Sequence, residues 1–491
     1  MKFKQILLIL FTGFFMKIES APIMNENQLK IINRKNGILY DLNIKPIEFR
    51  LPQIETVRLS DYETLYAYND NTLPLIHLNL IIEGGKLQEK DEERGLYSLL
   101  VDLWKNGGAN GKSGEEINEQ LAELGVELKF NLQQEFISIE MYCLTSNFRE
   151  AINLLEEILI YPEFSENKLQ TFKLKYLDAI KRRNDKPETI AARKLKEIME
   201  YPYQIEESIN EDDINKITRE KIIQTYKNVL KTRRLHISID GNIKEIDYIN
   251  IFSNLTKKLG KIEKPFLVNE QTINSLGKKE LINKIVLVKK DIPQAVIVMG
   301  KYLPSYKSKD IFPLSVANYI LGGGSFVSKM MREIRVNRGL AYYAYSATRF
   351  SAHNGKFISS SGTNYEQAQE TLNIMLYLIK NFKDTILDDD ITIAKDALIN
   401  SHIFEFSNPA KILYLYTIEQ IYQPPISYIE NYTKLIEQIT KNDVINTYQK
   451  YIKGDDLWIV IVGPEQLLKS LNKTGLPTVV IEPETKIDSI F

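Results

Sequence analysis

The 491-residue chain has room for two large domains or three small ones. Apolar residues make up 44%, and 63 Lys plus Arg stand against 64 Asp plus Glu. A core is therefore affordable, and the balanced charge gives no reason to expect nucleic acid or an acidic membrane surface as a partner.

Lys2 and Lys4 precede an apolar run over residues 6–15, too short to span a bilayer, and small residues follow at Ser20 and Ala21. This order predicts a signal peptide over 1–21 and an exported protein, periplasmic in a double-membraned bacterium. An uncleaved anchor is the alternative. No later run is long and apolar enough for a membrane helix, so no membrane partner is expected after cleavage. Cys143 is the sole cysteine, which excludes an intrachain disulfide.

After a polar leader, residues 75–82 read as a strand, and 93–104 and 114–124 as helices. Residues 126–131 and 135–143 read as a hairpin, with Ile137, Ile139, Met141 and Cys143 on one face. Asn147 with Glu150 resembles a capping box for a helix to residue 160. Helices broken at Pro162, Pro187 and Pro202 lead to a strand at 235–240. A polar linker is predicted over 261–283. The order then restarts: strands at 285–289 and 295–299, a hairpin at 342–349 and 355–361, and a Thr363/Glu366 capping box opening a helix to 382. Helices with breaks at Pro409, Pro424 and Pro425 end in a last strand at 457–462.

The halves also match in letters. ITREKIIQTY begins at Ile217 and ITKNDVINTY at Ile439, an offset of 439 − 217 = 222. The same offset carries Tyr226 onto Tyr448 and Gly241 onto Gly463. The predicted class is thus α+β, with two homologous domains, each a mostly antiparallel sheet covered by helices.

The stretch over 321–346, LGGGSFVSKMMREIRVNRGLAYYAYS, stands out. Gly322, Gly323 and Gly324 predict a bend with unusual backbone freedom. Ser325 sits where a helix N-cap belongs, and Phe326, Met330 and Ile334 recur at helical spacing. Arg332, Arg335 and Arg338 crowd the last turns before Gly339, and an aromatic-rich strand follows. Three arginines at a helix C-terminus also suit the helix dipole without any ligand. The glycines lack the ending of a phosphate loop, which argues against nucleotide binding.

FVSKMMREIRVNRGLAYYAYS is similar to the most recognisable C-terminal segment of the insulinase or pitrilysin family of zinc peptidases. In the N-terminal half RGLYSLLVDLWKNGGANGKSGEEINEQLAELGVELKF, then YPEFSENKL and EYPY, extend the resemblance over nearly all of the mature chain. It implies the mitochondrial-processing-peptidase-like fold, with a peptidase-like domain over 45–260 and a second over 284–485.

The family's chemistry needs an HxxEH helix, in which two His hold zinc and a Glu acts as general base. Aligned on Gly95-Leu96, those positions hold Ser98, Val101 and Asp102. For the later ligand Glu, the nearest acidic residue is Asp178. His77, His236, His353 and His402 each stand alone and read as structural. No metal is expected in this chain, and a peptidase built on Asp102 and Asp178 is a remote alternative. The family's Arg and Tyr, seven residues apart, match Arg335 and Tyr342. Such a pair donates to peptide carbonyls and to an oxyanion. The resemblance implies a non-catalytic, substrate-binding subunit of a heterodimer, with zinc in an HxxEH-bearing partner, a peptide or unfolded substrate, and Gly322–Gly324 lining or gating the chamber. A scaffold or peptide-binding module with no proteolytic partner is the other reading.

Overall fold

The computed structural model describes residues 51–202, 209–267 and 276–490. The signal peptide read at 1–21 and part of the 261–283 linker lie outside them.

The first sheet comprises β1 (Glu55–Ser60), β2 (Glu63–Asn69), β3 (Leu75–Glu83), β4 (Glu127–Leu132), β5 (Phe136–Leu144) and β6 (Leu235–Gly241), in the order β1-β2-β6-β3-β5-β4. Only β2 and β6 run parallel. Along β3 the alternation sends Ile76, Leu78, Leu80 and Ile82 into the core. His77, Asn79 and Ile81 face the other way. The core face meets helices α1 (Leu96–Asn106), α2 (Gly114–Glu123), α3 (Phe148–Ile160) and α4 (Glu166–Arg182). The next helix, α5 (Pro187–Glu200), leaves this core, while α6 (Glu211–Lys216), α7 (Arg219–Thr232) and α8 (Tyr248–Lys258) return to it.

The second sheet repeats the plan. It comprises β7 (Ile285–Lys289), β8 (Gln294–Leu303), β9 (Ala341–Phe350), β10 (Gly355–Asn364), β11 (Trp458–Gly463) and β12 (Thr478–Ile481), in the order β12-β7-β11-β8-β10-β9. Its helices are α9 (Ile311–Asn318), α10 (Ala368–Lys380), α11 (Phe382–Thr385), α12 (Asp388–Ile403), α13 (Pro409–Tyr422), α14 (Tyr428–Glu437), α15 (Lys441–Tyr451) and α16 (Leu467–Leu471). Five strands correspond one to one in the two orders; only the sixth differs. In the first half β1 precedes the core strands and pairs antiparallel with β2. In the second, β12 comes from the far end of the chain and pairs parallel with β7.

The halves are tied by an exchange of helices. Helix α5 of the first half lies on β8 and β11 of the second. There Ile190, Leu195, Ile198 and Met199 close an apolar core with Val286, Val298, Trp458 and Val460. Each such buried side chain contributes roughly 1.5–3 kcal/mol. Helix α13 of the second half lies in turn on β2 and β6 of the first. The two helices start at Pro187 and Pro409, and 409 − 187 = 222 is the offset found in the sequence.

Several expectations are corrected. The polar leader contains β1 and β2, and the strand ending near residue 462 is followed by β12. The first-half helix begins at Leu96, not at 93, because Gly95 adopts φ 83° and turns the chain there. Asn147 does not cap α3; its side-chain amide donates to the Leu124 carbonyl at the end of α2. Thr363 opens no helix either. It is buried in β10, where its hydroxyl donates to the Leu340 carbonyl, and Asn364 caps the turn that follows.

Candidate functional site

The positions of the lost zinc motif lie on α1. Ser98 and Val101 are 7% and 4% exposed, packed among core residues. Asp102 is half-buried and accepts a hydrogen bond from the Tyr176 hydroxyl on α4 at 3.1 Å. Burial, and then the Asp102 charge, push the Tyr176 phenol well above its usual range, so it remains a donor. Glu89 sits at the start of α1 and accepts from the Tyr97 amide at 2.9 Å. Burial raises its carboxyl above the ordinary range, against the pull of amides at Tyr97, Gly95 and Leu96. Sequence reasoning missed both Glu89 and Tyr176, because neither has a signal outside the folded arrangement.

Asp178 does not join this group. It is exposed on α4 and bonded to Arg182 one turn on, at 3.1 Å. Tyr176, two residues earlier, takes the face toward α1. Asp102 and Asp178 therefore have different partners, Tyr176 and Arg182. The residues present do not fit a zinc ion: Val101 offers no donor, and Asp102 is engaged by Tyr176. Among the described residues no three His, Cys, Asp or Glu side chains converge as metal ligands.

The histidines have other partners. His77 Nδ1 pairs with Asp240 Oδ2 at 2.9 Å beneath the Tyr142 ring. His236 Nε2 meets Glu83 at 2.8 Å and its Nδ1 meets the Tyr66 hydroxyl. His402 stacks on Tyr432, and burial pushes its pKa down to about 4. His353 lies half-buried in the β9–β10 turn.

The second-half stretch is less regular than its sequence suggests. Residues Tyr319–Gly323 and Met331–Val336 form π-helical turns, with Gly324 N–H bonded to Tyr319 O and Asn337 N–H to Arg332 O. Between them lies a tight turn, Ser325–Val327. Ser325 is not an N-cap: it stands at φ 51° as the first residue of that turn, whose N-cap is Gly324. Met330 and Ile334 are buried as the spacing predicts, but Phe326 is 61% exposed. The glycine bend also differs from expectation. None of Gly322, Gly323 and Gly324 adopts a positive φ. Glycine is needed at 322 for close approach instead, since a Cβ there would stand 2.3 Å from the Ser346 amide nitrogen.

Arg335 and Tyr342 flank the reversal at Gly339, which adopts φ 63°. Gly339 N–H bonds to Arg335 O and Leu340 N–H to Ile334 O, so β9 runs back along the π-helical turn. Tyr342 falls at a bulge. Gly362 of β10 pairs with Tyr343 and Thr363 with Ala341, leaving Tyr342 without a cross-strand partner and 63% exposed.

The three arginines are not alike. Arg338 lies 3.8 Å from Glu370 and 4.0 Å from Glu333. Arg332 donates to the Val327 carbonyl at 3.4 Å. Arg335 is exposed, and its contact is the Phe326 ring, 5.4 Å from guanidinium to centroid. Its five donors have no carboxylate or carbonyl acceptor among the described residues. Arg335 is thus a surface guanidinium without an anionic partner among the described residues, and Tyr342, seven residues on, is an exposed phenol.

The model for insulinase, peptidase family M16, matches residues 66–213, and the model for the peptidase M16 inactive domain matches residues 216–398. An uncharacterised zinc protease of Rickettsia felis is 21% identical over 422 residues, spanning 84% of this chain and 97% of its own length. The non-peptidase homologue YmxG of Helicobacter pylori is 26% identical over 291 residues, spanning 58% of this chain and 65% of its own. Among solved structures, a peptidase M16 inactive domain from Pseudomonas fluorescens superposes with a TM-score of 0.75 at 19% identity, covering 84% of this chain and 98% of that one.

Proposed function

Because this chain belongs to the insulinase (peptidase M16) family as an inactive homologue, we propose that it is the non-catalytic, substrate-binding subunit of an exported heterodimeric zinc endopeptidase. Its partner is a relative carrying HxxEH and the zinc ion. Peptide or unfolded protein lies across a shared chamber, with Arg335 and Tyr342 holding the backbone opposite the partner's metal. Gly322–Gly324 lines that chamber. Export rests on the basic, then apolar, N-terminal sequence.

One observation carries the reading: the asymmetry between the halves. In the first, Ser98 and Val101 are packed into the core and Asp102 is hydrogen-bonded by Tyr176, so no His pair stands there to hold zinc and Val101 has no group to act as the base. In the second, Arg335 and Tyr342 are both exposed, and the guanidinium has no acidic partner among the described residues. A core has no use for that arrangement.

The test is affinity purification of the tagged chain from its native extract. An HxxEH-bearing relative in the eluate, with peptidase activity only when both chains are present, is the expected result. A scaffold without a proteolytic partner is favoured by one feature, the edge position of β9, which among the described residues pairs with β10 and with no other strand. That reading expects peptide binding with no metallopeptidase in the eluate.

A further inference from the structure

The exposed Phe326 ring has no packing role, yet the turn that carries it is held from several sides. The Ser325 carbonyl accepts both the amide and the hydroxyl of the fully buried Ser328, at 3.1 and 2.7 Å. Val327 N–H bonds to Gly324 O, and Arg332 reaches the Val327 carbonyl from the following turn. Lys329 pairs with Asp390 of α12 at 2.8 Å, both mostly buried, which fastens the start of the helix to the body of the second half. Ser325 accepts a left-handed backbone, φ 51°, to make the turn. A β-carbon residue in that region costs about 1–2 kcal/mol. Backbone strain and an exposed aromatic are two unfavourable features at adjacent positions, and both serve one outcome: the ring stands under Arg335.

We propose that Phe326 is the positioning residue for Arg335. It holds the guanidinium by its π face and so fixes its direction without occupying an N–H donor. A carboxylate in the same place would hold the arginine more tightly, but it would take up donors and neutralise the charge. An aromatic ring attracts the cation through its quadrupole and leaves the edge of the guanidinium free for a substrate carbonyl. The neighbouring arginines show the contrast, since Arg338 faces carboxylates and Arg332 a carbonyl. This inference rests on the substrate-holding role proposed for Arg335.

The experiment is a double-mutant cycle on the full chain. It reads the binding of a fluorescein-labelled, unstructured peptide rich in Gly, Ser and Leu by polarisation. Phe326→Leu is expected to weaken binding about three- to fivefold, Phe326→Trp to retain it, and Phe326→Leu to have no further effect in an Arg335→Ala background. The Arg335 Nε–H resonance is expected to lose its ring-current shift in Phe326→Leu and keep it in Phe326→Trp. If Arg335→Ala itself leaves binding unchanged, the substrate-holding role falls and this inference with it. If Arg335→Ala weakens binding but Phe326→Leu does not, or weakens it equally in both backgrounds, only the positioning role is overturned.

Discussion

The same piece of architecture occurs twice, and its two copies have diverged in opposite directions. In the first half a regular helix, α1, leads through Gly107 and Gly108 to another regular helix, α2, capped by the Ser113/Glu116 box. The positions of the zinc motif are buried, at Ser98 and Val101, or engaged by Tyr176, at Asp102. In the second half α9 runs into a π-helical turn that contains Gly322 and Gly323, then a left-handed serine, a second π-helical turn and a bulged strand. There Arg335 and Tyr342 face solvent. Regular geometry stands where the zinc motif is absent, and irregular geometry where Arg335 and Tyr342 are exposed. Irregularity costs stability, so it survives where something depends on it.

The largest effect that would break this contrast lies at Arg335. In the reconstituted pair, Arg335→Ala is expected to lower kcat/KM for peptide hydrolysis about a hundredfold, the loss typical of an oxyanion donor. An unchanged rate would make the irregular half merely irregular. Next comes the attempt to reverse the first half. Reinstalling the motif as Ser98→His, Val101→Glu and Asp102→His is expected to give only weak zinc binding in chelator competition, because α4 meets residue 102 with the Tyr176 phenol while its Asp178 carboxylate pairs with Arg182. Adding Tyr176→Glu is expected to tighten it at least about tenfold. Tight binding without that fourth change would mean the site was never closed. A smaller effect tests the glycine bend. Gly322→Ala drives its Cβ against backbone at Ser346 and Tyr345, and is expected to cost about 1–3 kcal/mol in chemical denaturation. A cost near zero would show a bend that yields, as a gate does.

The contrast was only partly legible in the sequence. Alternation showed β3 and β5 because each buries one face fully, and the aromatic run marked β9 from Ala341. Of the four edge strands β1 and β12 escaped: Glu55–Ser60 has no buried residue, and Thr478–Ile481 has one, so neither carries a face pattern. Met330 and Ile334 obeyed helical spacing, but the same spacing placed Phe326 on the apolar face. A left-handed Ser325 breaks the period, and periodicity does not register a backbone turn. The absence of HxxEH could be read from letters alone. What fills its place could not, since Tyr176 reaches Asp102 only across 74 residues of chain folded into two packed helices.

The smallest expected effect sharpens the comparison by testing where the halves remain alike. Tyr226 on α7 and Tyr448 on α15 share the offset of 222, and each hydroxyl donates to a carbonyl one residue before a helix ends. Tyr226 reaches Leu159 O of α3 at 2.7 Å, and Tyr448 reaches Ile379 O of α10 at 3.0 Å. The last carbonyls of a helix have no partner within it, so each tyrosine acts as a remote cap. Burial pushes both phenols far above their usual range, which keeps the proton on the oxygen and the cap in place at any ordinary pH. Tyr226→Phe and Tyr448→Phe remove one hydrogen bond each and leave the ring packing intact. Each is expected to cost about 1 kcal/mol in chemical denaturation, with the larger loss at the more deeply buried Tyr448. There a carbonyl left behind is farther from water. Equal sign and similar size would show that duplication preserved the support beneath both copies while their working faces diverged. A neutral result at either tyrosine would mean that the repeated letters no longer bear the same load.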